Sequence, residues 1–384
     1  MSSSRSLLMR IPRSSSLRTL VLSVAATLGS IAQVALAEVH VERRGGLPAL
    51  DGAAAIVEES GLRIKGADGV DQFARWDEVR TVSGTTAPGN IDAQLKFGES
   101  VWRARTRLLR DDVELAEPLF RETWSALRTR KGDLGQLIAE GLLRCALARG
   151  DNVAAIEPWM TLVEARSAGG GANATPFNTL PPVLDASTMF SSEISPFTSP
   201  ELATRVAAAL ESAVKDGGTS VIWAPRFARI LRRAPQHAAP SASPSTSEKL
   251  LITLEEILLA SDARDRRKLS EGFLAIAKQV GGGDAPPYLL AWRSMAIGRA
   301  LVSQPDRAAQ EEGTLELLSV AATEGNSALG RLALLEAAGA CRAYGDAKSA
   351  KSIERIIATL DGDPLLKRAA VPAAAPEIDR KQQP

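Results

Sequence analysis

Residues 335–364, LEAAGACRAYGDAKSAKSIERIIATLDGDP, carry the strongest fold signal of this chain, because two amphipathic segments flank a glycine-aspartate turn. Gly345 can adopt the left-handed conformation that ends a helix, and Asp346 can cap the next helix by accepting a hydrogen bond from its free N–H groups. Small residues in the first segment allow two helix axes to approach closely. The stretch therefore predicts an antiparallel helical hairpin that ends at Pro364. Four apolar side chains at helical spacing predict the buried face of the second helix: Ile353, Ile356, Ile357 and Leu360.

The order of a small residue, a Gly-Asp turn, an alanine and a proline resembles the tetratricopeptide repeat, in which such features recur with a period of roughly 34 residues. In this hairpin the matching residues are Ala338, Gly345-Asp346, Ala350 and Pro364. Three further stretches carry parts of the same order: Ala146, Gly150-Asp151, Ala155 and Trp159; Ala104, Asp111-Asp112, Ala116 and Phe120; and residues 292–322, where Gly313 replaces the alanine. Because Ala116 and Ala155 are 39 residues apart, the repeats would be degenerate.

The resemblance implies a mainly α fold of antiparallel hairpins stacked into a right-handed superhelix, and it implies binding of an extended peptide or a partner helix. An unrelated helical bundle is the alternative, since any close-packed hairpin selects similar residues. The composition agrees with either, because alanine and leucine are abundant and only 4% of the residues are aromatic. The formal net charge of +1 gives no reason to expect a nucleic-acid partner.

Residues 1–37 have the pattern of a cleaved secretory signal peptide. Four arginines precede an apolar run over residues 20–36, and Ala35-Leu36-Ala37 is a small-x-small cleavage site. A retained membrane anchor is the alternative, but Ser23, Ser30 and Gln33 interrupt the run. We therefore expect an exported protein, periplasmic or extracellular, with no stable membrane insertion after cleavage. The alanine- and arginine-rich composition indicates a bacterial source.

Residues 38–85 alternate apolar and polar side chains between glycines, which predicts a small antiparallel β-sheet or open barrel. A unit of this size buries little surface and is expected to pack on the helices that follow. Trp76 is its largest apolar side chain. We interpret the unit as an N-terminal cap of the helical part, with a recognition module at a sheet edge as the alternative.

The rest of the chain divides by periodicity and composition. Helical hairpins are predicted over 91–166 and 248–365, a helical segment over 201–236, a low-complexity linker with a potential hinge over 237–247, and a disordered tail over 366–384. A Gly/Pro/Ser-rich loop is predicted over 167–200. Its apolar residues are expected to anchor it on the helical surface: Phe177, Leu184, Met189, Phe190 and Phe197.

The sequence offers little that could perform catalysis. His40 and His237 fall in a predicted strand and a linker, which argues against a histidine triad or histidine metal site. Cys145 and Cys341 lie in two different hairpins and are interpreted as buried packing residues rather than a disulfide. Glu255-Glu256 and Glu311-Glu312 are adjacent on helices and so point apart. Four arginines, interpreted as a solvated helix end rather than a site for anionic lipid or polymer, are Arg226, Arg229, Arg232 and Arg233.

These observations predict a non-enzymatic exported helical-repeat protein that binds protein or peptide partners in the cell envelope as a scaffold or assembly factor. No catalytic, metal or cofactor-binding residue is predicted, and no cofactor. Two alternatives are left open. One is a hydrolase of an envelope polymer that uses a carboxylate in a helical channel, and the other is a purely structural protein.

Overall fold

The computed structural model describes residues 39–66, 69–127, 132–167, 177–217 and 221–362. The predicted signal peptide and tail lie outside these residues. Within them, six β-strands precede twelve α-helices, as the predicted fold class requires. All of the described residues belong to one compact unit.

The strands form two antiparallel three-stranded sheets, with the orders β2-β1-β6 and β3-β4-β5. Alternate residues of the central strands point inward, and Val39, Val41, Leu62 and Ile64 are fully buried. The strand bounds are β1 Val39–Arg43, β2 Leu50–Gly52, β3 Ala54–Val57, β4 Gly61–Lys65, β5 Asp71–Arg75 and β6 Val79–Ser83.

The β-strands are joined to the first helix by a close backbone contact and a buried ion pair. A Cβ atom at Gly98 of the first helix would lie 2.1 Å from the carbonyl oxygen of Trp76, so only glycine fits there. The Asp77 side chain is fully buried and accepts hydrogen bonds from Arg75 and from Arg105 of the first helix. The small β unit therefore shares a core with the helical part, as its size requires.

Each helix packs against the next helix in sequence, from the first to the last. This succession is consistent with a helical repeat. The helix bounds are α1 Asp92–Leu108, α2 Val113–Ala126, α3 Gly132–Ala148, α4 Asn152–Ser167, α5 Pro200–Gly217, α6 Ala224–Leu231, α7 Thr246–Leu259, α8 Ala263–Val280, α9 Pro287–Val302, α10 Arg307–Glu324, α11 Ala328–Ala343 and α12 Ala347–Gly362.

The turns between paired helices have the geometry that the sequence predicts. Gly345 has a φ of 89°, and the Asp346 carboxylate accepts a hydrogen bond of 3.0 Å from the N–H of Ser349 at the start of α12. Gly150 and Asp151 repeat this arrangement before α4. Where the glycine is missing, Asp111 takes the left-handed conformation itself, with a φ of 62°.

The predicted close packing of α9 on α10 is also present, because a Cβ atom at Gly298 would lie 3.1 Å from the carbonyl oxygen of Gly313. The predicted buried face of α12 is partly wrong. Ile353 is buried and Ile357 and Leu360 are half-buried, but Ile356 is 50% exposed. Ile356 is offset from the row formed by Ile353, Ile357 and Leu360. Because α12 is the last helix within the described residues, no following helix covers Ile356 there.

Residues 177–199, which we call the strap, contain no helix or strand and lie on the helices through their aromatic side chains. Phe177, Phe190 and Phe197 are each at most 2% exposed, which confirms the predicted anchors. Phe177 packs edge-on against Phe120 of α2. The strap therefore covers helical surface instead of acting as a free connection.

Helix side chains also hold the backbone of the strap. Arg144 of α3 donates to the carbonyl oxygen of Pro181 at 2.9 Å, and Ser247 of α7 donates to that of Thr188. Phe190 lies in a cluster of aromatic rings with centroid distances of 5.0 to 6.2 Å, which joins α4, α6 and α9: Trp159, Trp223, Phe227 and Trp292. Helices on both sides of residues 237–247 thus contribute to one core.

Candidate binding groove on helices α2, α3 and α4

A groove with a cavity volume of about 260 Å³ lies among α2, α3 and α4. Helix α3 contacts both of the other two helices, so it forms the floor, and α2 and α4 form the walls. The apolar lining consists of Trp124, Leu142, Ala146, Ala154 and Pro158. Two of these five side chains are alanines, and their small size leaves the space that a larger residue would fill.

The charged lining consists of Glu117 and Arg121 on α2 and Glu157 on α4. Glu117, Arg121 and Trp124 share one face of α2 because they are four and three residues apart. The Glu117 Oε1 atom accepts hydrogen bonds from Arg121 Nε at 2.8 Å and Nη2 at 2.6 Å. It accepts a third from Arg149 Nη2 at 2.8 Å, from the turn before α4. These bonds compensate the burial of the Glu117 carboxylate, which is in a residue only 8% exposed.

Pro158 gives the α4 wall an additional polar feature. Proline has no N–H, so it cannot donate to the carbonyl oxygen of residue i−4, which is Ala154 in the same wall. That carbonyl therefore lacks its usual helical donor. Glu157 of the same wall is exposed.

Cys145 lies on α3 beside the groove floor and is fully buried. Burial raises the pKa of its thiol to about 12, with a smaller contribution from the charge of Glu117. The thiolate is the nucleophilic form of cysteine. A thiol with this pKa stays protonated at neutral pH, so Cys145 is a packing residue, as predicted. Both cysteines are free in the structure.

The five acidic residues that are buried in the described part of the chain all accept hydrogen bonds from arginine or serine side chains: Asp77, Glu117, Glu140, Glu248 and Glu255. Burial by itself would raise the pKa of Glu248, but hydrogen bonds from Ser241 and the charge of Arg226 outweigh it and hold that pKa below its usual value. These buried carboxylates therefore form hydrogen bonds that stabilise the fold. Glu193 on the strap differs, because burial raises its pKa while Arg144 opposes the rise.

The prediction that the four arginines are solvated is wrong for Arg226 and Arg229, which are not exposed, whereas Arg232 and Arg233 are exposed as predicted. Arg226 is 5% exposed and bonds to Glu255, which also binds Arg229 through both carboxylate oxygens. Arg226 donates further to the carbonyl oxygens of Ala238 and Ala239, in the segment predicted as a linker. The other two arginines are paired as well, Arg232 with Glu211 and Arg233 with Glu336.

Neither histidine is among the residues that line the groove. His40 Nδ1 lies 2.7 Å from Asp51 Oδ1 on the exposed surface of paired strands β1 and β2. His237 lies in the segment between α6 and α7. In the described ranges, no group of three or more histidine, cysteine or acidic side chains is arranged to hold a metal ion. No helix there is long and apolar enough to cross a membrane.

The sequence did not identify the groove residues as a site. They come from three helices, and only the registers of those helices bring them together, so no local pattern distinguishes them from other surface residues. The chain matches no protein-family model, and no curated protein or solved structure matches it.

Proposed function

We propose that the chain is a non-enzymatic binding protein whose α2–α4 groove receives a segment of a protein partner. The observation that carries the proposal is the groove itself, a cavity of about 260 Å³ with an apolar floor and charged walls. A cavity of roughly 150 Å³ holds a benzene molecule. The groove thus has room for one large aliphatic or aromatic side chain of a partner.

The chemistry of the lining supports a protein partner. An apolar centre with a polar rim is the usual anatomy of protein interfaces, and tryptophan and arginine are the residues most enriched at their energetic centres. Trp124 is the largest apolar side chain of the lining, and the Arg121 side chain is 57% exposed. Because the groove takes a single side chain, affinity must also come from the surrounding helix surfaces.

The stacking of each helix on the next supports a relation to tetratricopeptide repeats, which bind extended peptides or partner helices on such arrays. Export to the periplasm or the extracellular space, cleavage of residues 1–37 and a bacterial source belong to the same proposal and rest on the sequence. The partner is then a protein of the cell envelope, and the role is that of a scaffold or assembly factor.

The test fills the groove without changing its charges. The Ala154→Leu variant places a larger side chain in the cavity, and Ala358→Leu makes the same change on the exposed surface of α12. Each tagged chain is crosslinked in cells, the captured proteins are identified by mass spectrometry, and the dominant candidate is purified and titrated against each chain. We expect Ala154→Leu to weaken binding at least tenfold and Ala358→Leu to bind like the unmodified chain.

Equal binding by the unmodified chain and both variants would show that the partner does not bind in the groove. Capture of cell-wall or polysaccharide fragments instead of proteins, with turnover of those polymers, would replace it with the hydrolase alternative. In that case the acidic residues, starting with Glu193, would be substituted one at a time.

A further inference from the structure

Helix α8 buries an arginine that has no acidic partner among the described residues. Arg266 is 4% exposed, and its Nη2 atom donates a hydrogen bond of 2.8 Å to the carbonyl oxygen of Ala260. Its Nε atom is buried and has no hydrogen-bond partner there. Arginine stays protonated in proteins, and a buried charge without a counter-charge costs free energy. Arg266 is therefore a cation that the described part of the chain does not neutralise.

Comparable arginines elsewhere in the described ranges are neutralised. Arg226 is 5% exposed, and it forms an ion pair with Glu255. The Nε atoms of Arg43 and Arg149 are also buried without a partner, but both side chains form ion pairs with glutamates through other nitrogen atoms. The fold thus supplies an acid to each of these arginines, and Arg266 differs from them.

A second arginine reaches the same side of α8. Ser270 is 4% exposed and follows Arg266 by four residues, so the two side chains lie on one face of the helix. Arg293 of α9 is half-buried and donates from Nε to the Ser270 Oγ atom at 2.6 Å. The described residues supply no acceptor for the Arg293 Nη atoms or the Ser270 hydroxyl hydrogen, and no acid for Arg293. This interface therefore has more donors than acceptors.

The charges around Arg266 are mostly positive. Arg267 and Lys268 are exposed, and neither forms an ion pair with an acid in the part of the chain that the structure describes. The acids of this turn are Asp262, whose carboxylate caps the first N–H groups of α8, and Asp265, which is exposed. A surplus of positive charge raises the local concentration of anions.

We propose that Arg266, Arg293 and Ser270 bind a phosphate group between α8 and α9, either inorganic phosphate or the terminal phosphate of a larger ligand. Guanidinium groups suit phosphate, which offers acceptor oxygens in several directions, whereas a planar carboxylate has two oxygens. The small exposed fraction of Arg266 limits the site to a group of this size. The inference does not rest on the proposed function, because the groove lies on α2, α3 and α4.

The experiment is a calorimetric titration of the purified chain with inorganic phosphate, in a chloride buffer of constant ionic strength. We expect saturable binding at one site. Arg266→Met and Arg293→Met each remove a charged donor and should weaken binding about tenfold or more, and Ser270→Ala about threefold. Arg264→Met is the matched control, because it makes the same change at an exposed arginine of the same turn. Its affinity should stay within about twofold of the unmodified chain.

Thermal unfolding of the same proteins guards against loss of structure. Without phosphate, Arg266→Met should unfold near the temperature of the unmodified chain, because removing an uncompensated charge offsets the lost bond to Ala260. Phosphate should raise the unfolding midpoint of the unmodified chain and of Arg264→Met, since a ligand that binds the folded state stabilises it. It should leave the midpoint of Arg266→Met unchanged.

The two sources of phosphate are distinguished by a titration with phosphoserine. Tighter binding of phosphoserine than of inorganic phosphate would indicate a phosphorylated ligand, and the reverse would indicate the free ion; both support the site. Equal binding of acetate would overturn the proposal, as would the absence of saturable phosphate binding. Equal weakening by Arg264→Met and Arg293→Met would also overturn it, because a diffuse attraction to the basic surface would then explain the binding. These outcomes leave the proposed function standing.

Discussion

The indole Nε1 of Trp159 on α4 donates a hydrogen bond of 2.9 Å to the carbonyl oxygen of Met189 on the strap. Met189 has a φ of 60°, an uncommon conformation for a residue other than glycine, asparagine or aspartate. The bond and the neighbouring Phe190 anchor hold the strap in this conformation. A helix side chain thus determines the path of a segment that has no regular structure of its own.

Replacing Trp159 with phenylalanine tests the energetic importance of this bond. The Met189 carbonyl would lose its donor, which costs about 1–3 kcal/mol for a buried group, in addition to the smaller apolar area. Trp292→Phe is a matched control, because Trp292 lies in the same aromatic cluster and its buried Nε1 has no hydrogen-bond partner. Urea unfolding followed by circular dichroism should show a larger loss for Trp159→Phe. Equal losses would show that the hydrogen bond contributes nothing.

Gly98 and Gly339 are helical glycines for which we predict effects of opposite sign on substitution by alanine. At Gly98 the new Cβ would lie 2.1 Å from the Trp76 carbonyl oxygen, which forces the β unit and α1 apart and costs about 1–3 kcal/mol. At Gly339 the new Cβ would meet no atom within 4 Å beyond its chain neighbours and the backbone of its own helix, so helix propensity dominates and the gain is about 0.5–1 kcal/mol. Thermal unfolding of the two variants should shift in opposite directions. Destabilisation by Gly339→Ala would contradict the open space beside Gly339.

The turns and anchors were predictable from sequence because their causes are local. Gly345 and Asp346 specify the end of one helix and the cap of the next within two residues. Aromatic residues in a Gly/Pro/Ser-rich stretch have no regular element of their own to pack in, so they are buried by packing on the helices. The sequence does not reveal the ion pairs of the four arginines, or the burial of Arg226, because the acidic partners are distant in sequence. Glu255 is 26 residues from Arg229, and Glu336 is 103 residues from Arg233, so only the packing of the helices reveals these ion pairs.

The groove could not be predicted for a similar reason. Ala146 and Ala154 look like ordinary packing alanines of a repeat, and nothing in the sequence separates an alanine that contacts a neighbouring helix from one that leaves a cavity. Its position follows from how far α2 and α4 stand apart across α3, which depends on large residues elsewhere, such as Phe120 against Gly141.

The buried ion pair of Arg226 and Glu255 should be far more important for stability than an exposed pair of the same type. Arg226→Met leaves Glu255 with Arg229 alone and removes two donors to the segment between α6 and α7, and loss of one partner of a buried pair typically costs about 3–5 kcal/mol. Arg307→Met breaks the exposed pair with Glu311, which water screens, and should change stability far less. Denaturant unfolding of both variants measures the contrast. A loss below about 1 kcal/mol for Arg226→Met would mean that water replaces the lost bonds.

Glu248 should make the folded chain sensitive to acid. Its folded-state pKa lies below the usual value, so its carboxylate stabilises the fold above the unfolded-state pKa, and this contribution is lost as the pH falls through the folded-state pKa. Glu248→Gln should therefore be less stable than the unmodified chain at pH 7, and the difference should shrink below about pH 4. Urea midpoints at both pH values provide the measurement, with Glu312→Gln on the exposed face of α10 as the control. A difference that does not change with pH would assign the effect to packing.

Cys145 should be inert in the folded chain and should weaken the fold at alkaline pH. Its folded-state pKa of about 12 lies above the ordinary value, so the protonated thiol's contribution is complete below the unfolded-state pKa of about 8.5 and is lost as the pH rises toward 12. In a Cys341→Ala background, a thiol reagent at pH 8 should leave the folded chain unmodified and label it fully in urea. The additional Cys145→Ala change should reduce the loss of stability between about pH 9 and pH 11. Rapid labelling of the folded chain would instead show that α3 opens and exposes Cys145, and would place a reactive thiol beside the groove.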